Sequence, residues 1–382
     1  MVELDVAIVG TGPDPTSRDR TGFAMAYRHA QAYREHTNCD ITACVDIEPD
    51  HAAAFGEYYD LPDAAVFTDH DTMLREAQPD VISICVPPSA HAEIVRDCAN
   101  APTTRAIHCE KPMATRWDDC QEMVATCAEQ NVQLTIDHQR RFARPVVRAK
   151  SLIEDDAIGA VRRLEWSEVN LFDAGSHVFD LCDYFVGGSQ PSWVLGAIDT
   201  SEHREWFGTV NSNRSIVHWA YNNGVQGIAS TADGGETAVD AYLRIIGENG
   251  TIEIQPQEGP PLQMRTTGGW EKIATDGESL YGPRGSKLKG VIKRVQGLTP
   301  GESLDLPDRP NYARAIDHAI DCLLSGHEPT ISGATALRST ELIFGAWESA
   351  HNRSRIEFPI GNVGNPFEQL TTERTRVAPD PA

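Results

Sequence analysis

Four short stretches of the chain hold residues whose types and order could do chemistry. The first is Gly10-Thr11-Gly12, directly after the apolar run Val6–Val9. A Gly-x-Gly at a strand end lets the backbone turn sharply and approach a pyrophosphate, which the next helix N-terminus then stabilises. The second is Asp46, which closes the apolar run Ile41–Val45. A carboxylate at the tip of a second strand accepts hydrogen bonds from an adenosine ribose and repels a 2′-phosphate, so it favours NAD over NADP as the cofactor. The bland alternative is an acid at a helix N-terminus, since Asp50 opens a helical pattern just beyond. The interval from Gly12 to Asp46 is long because a polar run, Asp14–Thr21, is inserted there, and Pro15 stands where the fingerprint places its third glycine. Gly22 and Ala26 are then the residues available for close helix–strand contact.

The third stretch pairs Val86-Pro87-Pro88-Ser89 with Glu110-Lys111-Pro112, each after an apolar strand pattern. The prolines stiffen the rim of a cofactor cleft, and Ser89 is placed to cap the following helix. His91 reads as a satisfied structural histidine. Lys111 is one of six lysines in the whole chain, and it falls where ligands bind in doubly wound folds. A partly buried ammonium of lowered pKa can take or give a proton beside a reacting carbon. The fourth stretch is Asp173-Ala174-Gly175-Ser176-His177. If a helix begins near Gly175, Asp173 and His177 share its N-terminal end, where the histidine can act as acid or base and the carboxylate can orient it or bind a hydroxyl. A helix cap plus a core-facing histidine explains the same residues equally well.

The elements that must position these residues fall into two groups. Up to Asp137, apolar runs at Val6–Val9, Ile41–Val45, Val81–Val86, Ala106–Cys109 and Val132–Ile136 alternate with amphipathic stretches such as Phe23–Arg34, His91–Ala99 and Trp117–Ala128. Continuous apolar strands separated by helices predict an α/β Rossmann domain over residues 1–137, with a parallel sheet covered on both faces. From Val161 to Thr275 the pattern becomes alternating, with turn signals at Asn222-Asn223-Gly224 and Glu248-Asn249-Gly250. This predicts an α+β domain with a mostly antiparallel open sheet over residues 138–360, interrupted by a helix near Ser176–Phe185 and closed by helices at Asn311–Leu324 and Ala334–Ala350. Residues 361–382 read as an arm or a partly disordered tail. The Gly-rich basic segment Tyr281–Gly301, with Arg284, Lys287, Lys289, Lys293 and Arg294, reads as a surface loop.

Composition narrows the partners. Thirty-three basic against 56 acidic residues give a formal charge of −23, which disfavours nucleic acid and anionic membrane surfaces. Acid-rich and lysine-poor composition is what a protein working in concentrated salt needs, so a halophilic setting is expected. There is no basic stretch followed by an apolar leader segment and no apolar run near 18 residues, so a cytoplasmic protein without membrane contact is expected. Nine cysteines are scattered without a C-x-x-C pair or clustered Cys/His spacing, which predicts reduced thiols and no metal site.

Taken together, Gly10-x-Gly12, Pro87-Pro88, Glu110-Lys111-Pro112, Arg140-Arg141-Phe142 and Asp173-x-Gly175-x-His177 resemble, in order and spacing, the Gfo/Idh/MocA family of glucose–fructose oxidoreductases and inositol dehydrogenases. The likeness runs over about residues 4–360. The resemblance implies hydride transfer between a nicotinamide and a sugar or cyclitol hydroxyl, and a homo-oligomer, dimer or tetramer, built through the second sheet. By position it makes Lys111 and His177 the proton-handling pair, Asp173 a ligand of the substrate hydroxyl, and Asp46 a ligand of the adenosine ribose. Gly10, Gly12, Pro87, Glu110 and Lys111 would line the cofactor. The Asp14–Thr21 insertion and the short stretch Glu165–Asp173 depart from the family pattern and leave phosphate contacts and pocket shape open. A redox-neutral enzyme that retains NAD is the nearest alternative. A cofactor-sensing regulatory protein would need none of Lys111, Asp173 and His177.

Overall fold

In a computed structural model, residues 3–15, 24–202, 204–206, 208–212, 214–232, 237–283 and 309–377 are described. Six strands form the first sheet: β1 (Leu4–Val9), β2 (Cys39–Val45), β3 (Val66–Phe67), β4 (Val81–Ile84), β5 (Ala106–Cys109) and β6 (Gln133–Ile136). All pairings are parallel and the order is β3-β2-β1-β4-β5-β6. Helices α1 (Met25–Arg34), α2 (Pro49–Tyr58), α3 (His70–Glu76), α4 (Pro88–Asn100) and α5 (Trp117–Glu129) provide the crossovers. The strands are apolar on both faces because helices cover both: Val81, Ile82, Ser83 and Ile84 of β4 are all buried. The strand order reverses between β1 and β4, which opens a crevice at their carboxyl ends.

After the short α6 (Arg144–Glu154), β7 (Val161–Glu168) opens the second sheet and α7 (Gly175–Phe185) folds beneath it. The other strands are β8 (Pro191–Asp199), the hairpin β9–β10 (Arg204–Trp206, Thr209–Asn211), β11 (Arg214–Tyr221), β12 (Gln226–Ala232), β13 (Ala241–Gly247), β14 (Thr251–Pro256), β15 (Leu262–Thr266), β16 (Gly269–Lys272), the small pair β17–β18 (Glu278–Ser279, Gly282–Pro283) and β19 (Ile356–Glu357). Nine of them form one sheet ordered β16-β15-β14-β13-β7-β12-β11-β8-β19. Its pairings are antiparallel except the parallel β7–β12 pair. One face packs on α7 and on the helix α9 (Gly333–Asn352) through Trp166, Phe179, Trp219, Phe172, Phe344 and Trp347. The other face leaves Leu195 and Ile216 exposed.

Three expectations change. The helix Asn311–Ser325 (α8) does not close the second sheet; its Ala313, Ile316 and Ile320 complete a core with Leu4, Val6, Ile8, Ala26 and Ala30 of the first domain. Amphipathic periodicity showed that this helix has an apolar face but not what the face meets. The tail is not an arm: Pro366–Val377 forms a helix, α10, whose Phe367 is buried with its ring centroid 5.1 Å from that of Trp347. A few apolar residues suffice there because an aromatic groove is already built. Ser89 does not cap α4, which starts at Pro88 with no side-chain cap. Proline at N1 needs no partner for an absent N–H. The basic segment from Arg284 to Arg294 and Gly22 lie outside the described residues.

Candidate active site

The crevice is a cavity of about 750 Å³ running from the glycine loop to α7. Gly10, Gly12, Pro87, Glu110, Lys111, Asp173 and His177 all line it, so seven of the eight expected site residues share one space. The eighth, Asp46, lies directly behind the loop. Gly10 and Gly12 have φ of +85° and +62°, the left-handed region that favours glycine. A Cβ at Gly10 would lie 2.5 Å from Val86 Cγ1 and 2.9 Å from Val86 N, so the loop presses on the end of β4. A Cβ at Gly12 would meet nothing within 4 Å, because that side faces the open cleft. Asp46 Oδ2 accepts hydrogen bonds from Gly12 N at 2.7 Å and Thr11 Oγ1 at 3.2 Å, while Oδ1 accepts from Glu48 N at 3.0 Å. The carboxylate therefore fixes the glycine loop as well as standing at the β2 tip.

On the facing rim, His91 is buried with both ring nitrogens within 2.9 Å of carbonyl oxygens, those of Pro112 and Val86. It ties the Pro87-Pro88 turn to the Glu110-Lys111-Pro112 turn, the structural role its sequence position suggested. Glu110 Oε2 accepts from Lys111 N at 3.2 Å and shapes the turn that presents the lysine.

Across the cleft, Asn170 holds the start of α7: its Oδ1 accepts from Ala174 N at 2.9 Å and its carbonyl from Gly175 N at 3.1 Å. This places Asp173 and His177 side by side. Lys111 Nζ donates to Asp173 Oδ1 at 2.7 Å and to the Asp173 carbonyl at 3.2 Å, an ion pair spanning the two domains. His177 is 6% exposed, and its Nδ1 has no hydrogen-bond partner among the described residues. Burial, then the cations Arg140 and Lys111, hold its pKa well below the ordinary imidazole value. It is a neutral base at neutral pH, set beside the guanidinium of Arg140. The sequence left open whether His177 is a site residue or a core residue; it is buried and still lines the cavity.

Some wall residues had no role assigned from sequence, Arg140 among them. Arg140 lies between the rings of Tyr242 and Tyr281, at 5.0 and 5.4 Å, and donates to Glu168 at 3.0 Å. Trp206 and Thr209 come from the β9–β10 hairpin, and Leu280 and Tyr281 from the β17–β18 turn. Only the 46% exposure of a tryptophan marks the hairpin as a site wall, and exposure has no sequence signal. The polar pair Arg144 and Arg314 on Glu278, at 2.8 and 2.7 Å, pins that turn beside the cleft. Among the described residues no helix is long and apolar enough to cross a membrane. The nine cysteines form no disulfide.

Comparison with known proteins agrees with this fold. Residues 4–138 match the model described as an oxidoreductase family with an NAD-binding Rossmann fold, and residues 160–358 match that family's C-terminal alpha/beta domain. A 2,7-anhydro-N-acetylneuraminate hydratase of Mediterraneibacter gnavus is 25% identical over 361 residues, covering 81% of this chain and 90% of its own. A D-apiose dehydrogenase of Rhizobium rhizogenes is 24% identical, covering 94% and 98%. In fold, the chain is similar to an aldose-aldose oxidoreductase of Caulobacter crescentus solved with glycerol, with a TM-score of 0.71, 21% identity and coverage of 93% and 100%. With both halves of the chain matched, over residues 4–138 and 160–358, the chain belongs to the Gfo/Idh/MocA family of NAD-binding oxidoreductases.

Proposed function

We propose that the chain is an NAD-dependent dehydrogenase that oxidises a ring hydroxyl of a sugar or cyclitol. The observation that carries this reading is a neutral, buried His177 sharing one cleft with the Lys111–Asp173 ion pair and the glycine loop. The open side of Gly12 and the α1 N-terminus suit a pyrophosphate. A nicotinamide cofactor bound in this cleft would supply the hydride acceptor. His177 takes the hydroxyl proton as the carbon loses its hydride. Lys111 donates to the reacting oxygen, and Asp173 both holds the ammonium and accepts from a neighbouring hydroxyl. Asp46 disfavours a 2′-phosphate by charge, so NAD is preferred over NADP.

The test is a panel of sugars and cyclitols with NAD and with NADP, in dilute and in molar salt, followed by NADH absorbance. Steady NADH formation from a polyol supports the reading; NAD binding without reduction by any polyol sinks it. A hydratase and an aldose-aldose oxidoreductase among the relatives favour one second reading, a redox-neutral cycle. That cycle would give at most one equivalent of NADH per site and no steady release. The nine free thiols suit a reducing cytoplasm. Exposed Leu195 and Ile216 on the uncovered sheet face suit a homo-oligomer.

A further inference from the structure

Behind the Glu110-Lys111 turn, on the side away from the reacting groups, lies a second constellation that the proposed chemistry does not use. His29 of α1, His108 of β5, Glu110 and Asp137 converge in the interior, and none is more than 8% exposed. His29 Nε2 lies 3.2 Å from Glu110 Oε1 and 3.5 Å from Asp137 Oδ2, and His108 Nε2 lies 3.7 Å from Asp137 Oδ1. One ligand atom each from His29, His108 and Asp137 lie within 4.8 Å of one another. His108 Nε2 and Asp137 Oδ1 are buried without a hydrogen-bond partner among the described residues, and His29 Nε2 has only the carboxylates of Glu110 and Asp137 beside it. Buried nitrogens and carboxylates crowded at one point are costly unless a proton or a cation sits between them.

The hydrogen bonds around the cluster say what that something must be. Thr135 Oγ1 donates to the Ile107 carbonyl at 3.2 Å, so it accepts from His108 Nδ1 at 2.8 Å. The proton is then on Nδ1, and His108 Nε2 presents a lone pair to a carboxylate oxygen, an acceptor facing an acceptor. His29 Nδ1 has its own hydroxyl partner, Ser83 Oγ, at 2.9 Å. An imidazole whose far nitrogen is held by a hydroxyl and whose near nitrogen faces a carboxylate is oriented as a metal ligand is. Tetrahedral ligands about 2.0–2.1 Å from zinc stand roughly 3.3 Å apart, near the His29–Glu110, His29–Asp137 and His108–Asp137 separations. Two carboxylates and two neutral imidazoles also make a divalent cation electrically neutral in a buried site. Glu110 and Cys85 line the cavity, which gives an entry path from the cofactor cleft.

We propose that His29, His108, Glu110 and Asp137 form a buried zinc-class divalent cation site that braces α1, β5 and the β6 end beneath the active-site turn. The inference stands on these residues alone and does not depend on the dehydrogenase reading. The full-length protein, purified without chelator, should carry about one zinc per chain by elemental analysis. Stripping with dipicolinate should lower the unfolding temperature by several degrees and zinc should restore it. Cobalt(II) added to the stripped chain should give the visible d–d bands of a four-coordinate site. His108→Gln and Asp137→Asn should each lose the metal and the cobalt bands. A wild-type chain that holds no metal as purified, takes up neither zinc nor cobalt after chelation, and unfolds at the same temperature with and without zinc overturns the proposal. In that case His29 is an imidazolium bridging two carboxylates. Should both variants fail to fold, the wild-type titrations decide alone.

Discussion

Only Thr11 separates Gly10 from Gly12 in sequence, yet alanine at each should fail for different reasons. At Gly10 the left-handed φ costs roughly 1–2 kcal/mol for any residue with a Cβ. The added methyl also meets Val86 Cγ1 at 2.5 Å and the Val86 and Cys85 backbone at 2.9 and 3.0 Å. Backbone cannot swing aside, so overpacking adds about 1–3 kcal/mol. The sum, about 2–5 kcal/mol, should lower the unfolding temperature by several degrees. At Gly12 only the φ cost applies, since the methyl enters open space. That space is where a pyrophosphate would approach, so Gly12→Ala should instead weaken NAD at least about tenfold, or ~1.4 kcal/mol. The assay is thermal unfolding of both apo variants alongside NAD titration by calorimetry. Wild-type NAD affinity in Gly12→Ala would refute the cradle. Wild-type stability in Gly10→Ala would refute the packing argument.

Four further outcomes are expected. Lys111→Met and His177→Asn should lose about 10²–10⁴-fold in kcat while still binding NAD; near-normal turnover in both would remove them from the mechanism. Because the His177 pKa is depressed, the base stays neutral as pH falls, so kcat/KM for oxidation should hold its plateau below the ordinary imidazole range and drop only in more acid solution. Arg140→Gln removes the first-named cation and should move that acid limb upward; a wild-type limb near pH ~6.5 would contradict the burial argument. Asp46→Ser should narrow the preference for NAD over NADP and, by freeing Gly12 N and Thr11, also weaken NAD itself; an unchanged cofactor ratio would remove Asp46 from the ribose. With a formal charge of −23, unfolding temperature should rise steeply from dilute buffer to molar KCl as the Debye length falls from roughly 30 to 3 Å. A flat response, matched by a non-ionic osmolyte, would end the halophilic reading.

The alternation of strands and helices, the glycine loop and the candidate residues Lys111, Asp173 and His177 were legible because each rests on local pattern: continuous apolar runs, a turn at a strand end, a helix start. What stayed hidden is what depends on distant packing. Arg140 could be seen as part of a family-like run, but its place between Tyr242 and Tyr281 joins residues more than a hundred positions apart. The same holds for His29, His108 and Asp137, which come from a helix, a strand and the end of another strand, so no ligand spacing exists to be read. The neutrality of His177 likewise follows from burial and two neighbouring cations, which only folding brings to it.

The placement of α8 has a consequence for how the chain comes off the ribosome. The apolar faces of α1 and β1 are complete by residue 34, but Ala313, Ile316 and Ile320, which cover them, are made only after every strand of the second sheet except β19. At roughly 5–20 residues per second, that interval is on the order of ten seconds or more. Throughout it the nascent first domain carries an open greasy flank around Ala26, Ala30 and Ile8, so its maturation waits for the last quarter of translation. Domain-by-domain synthesis, the usual protection of large chains, is thereby given up: the two halves must reach the native state as one cooperative unit.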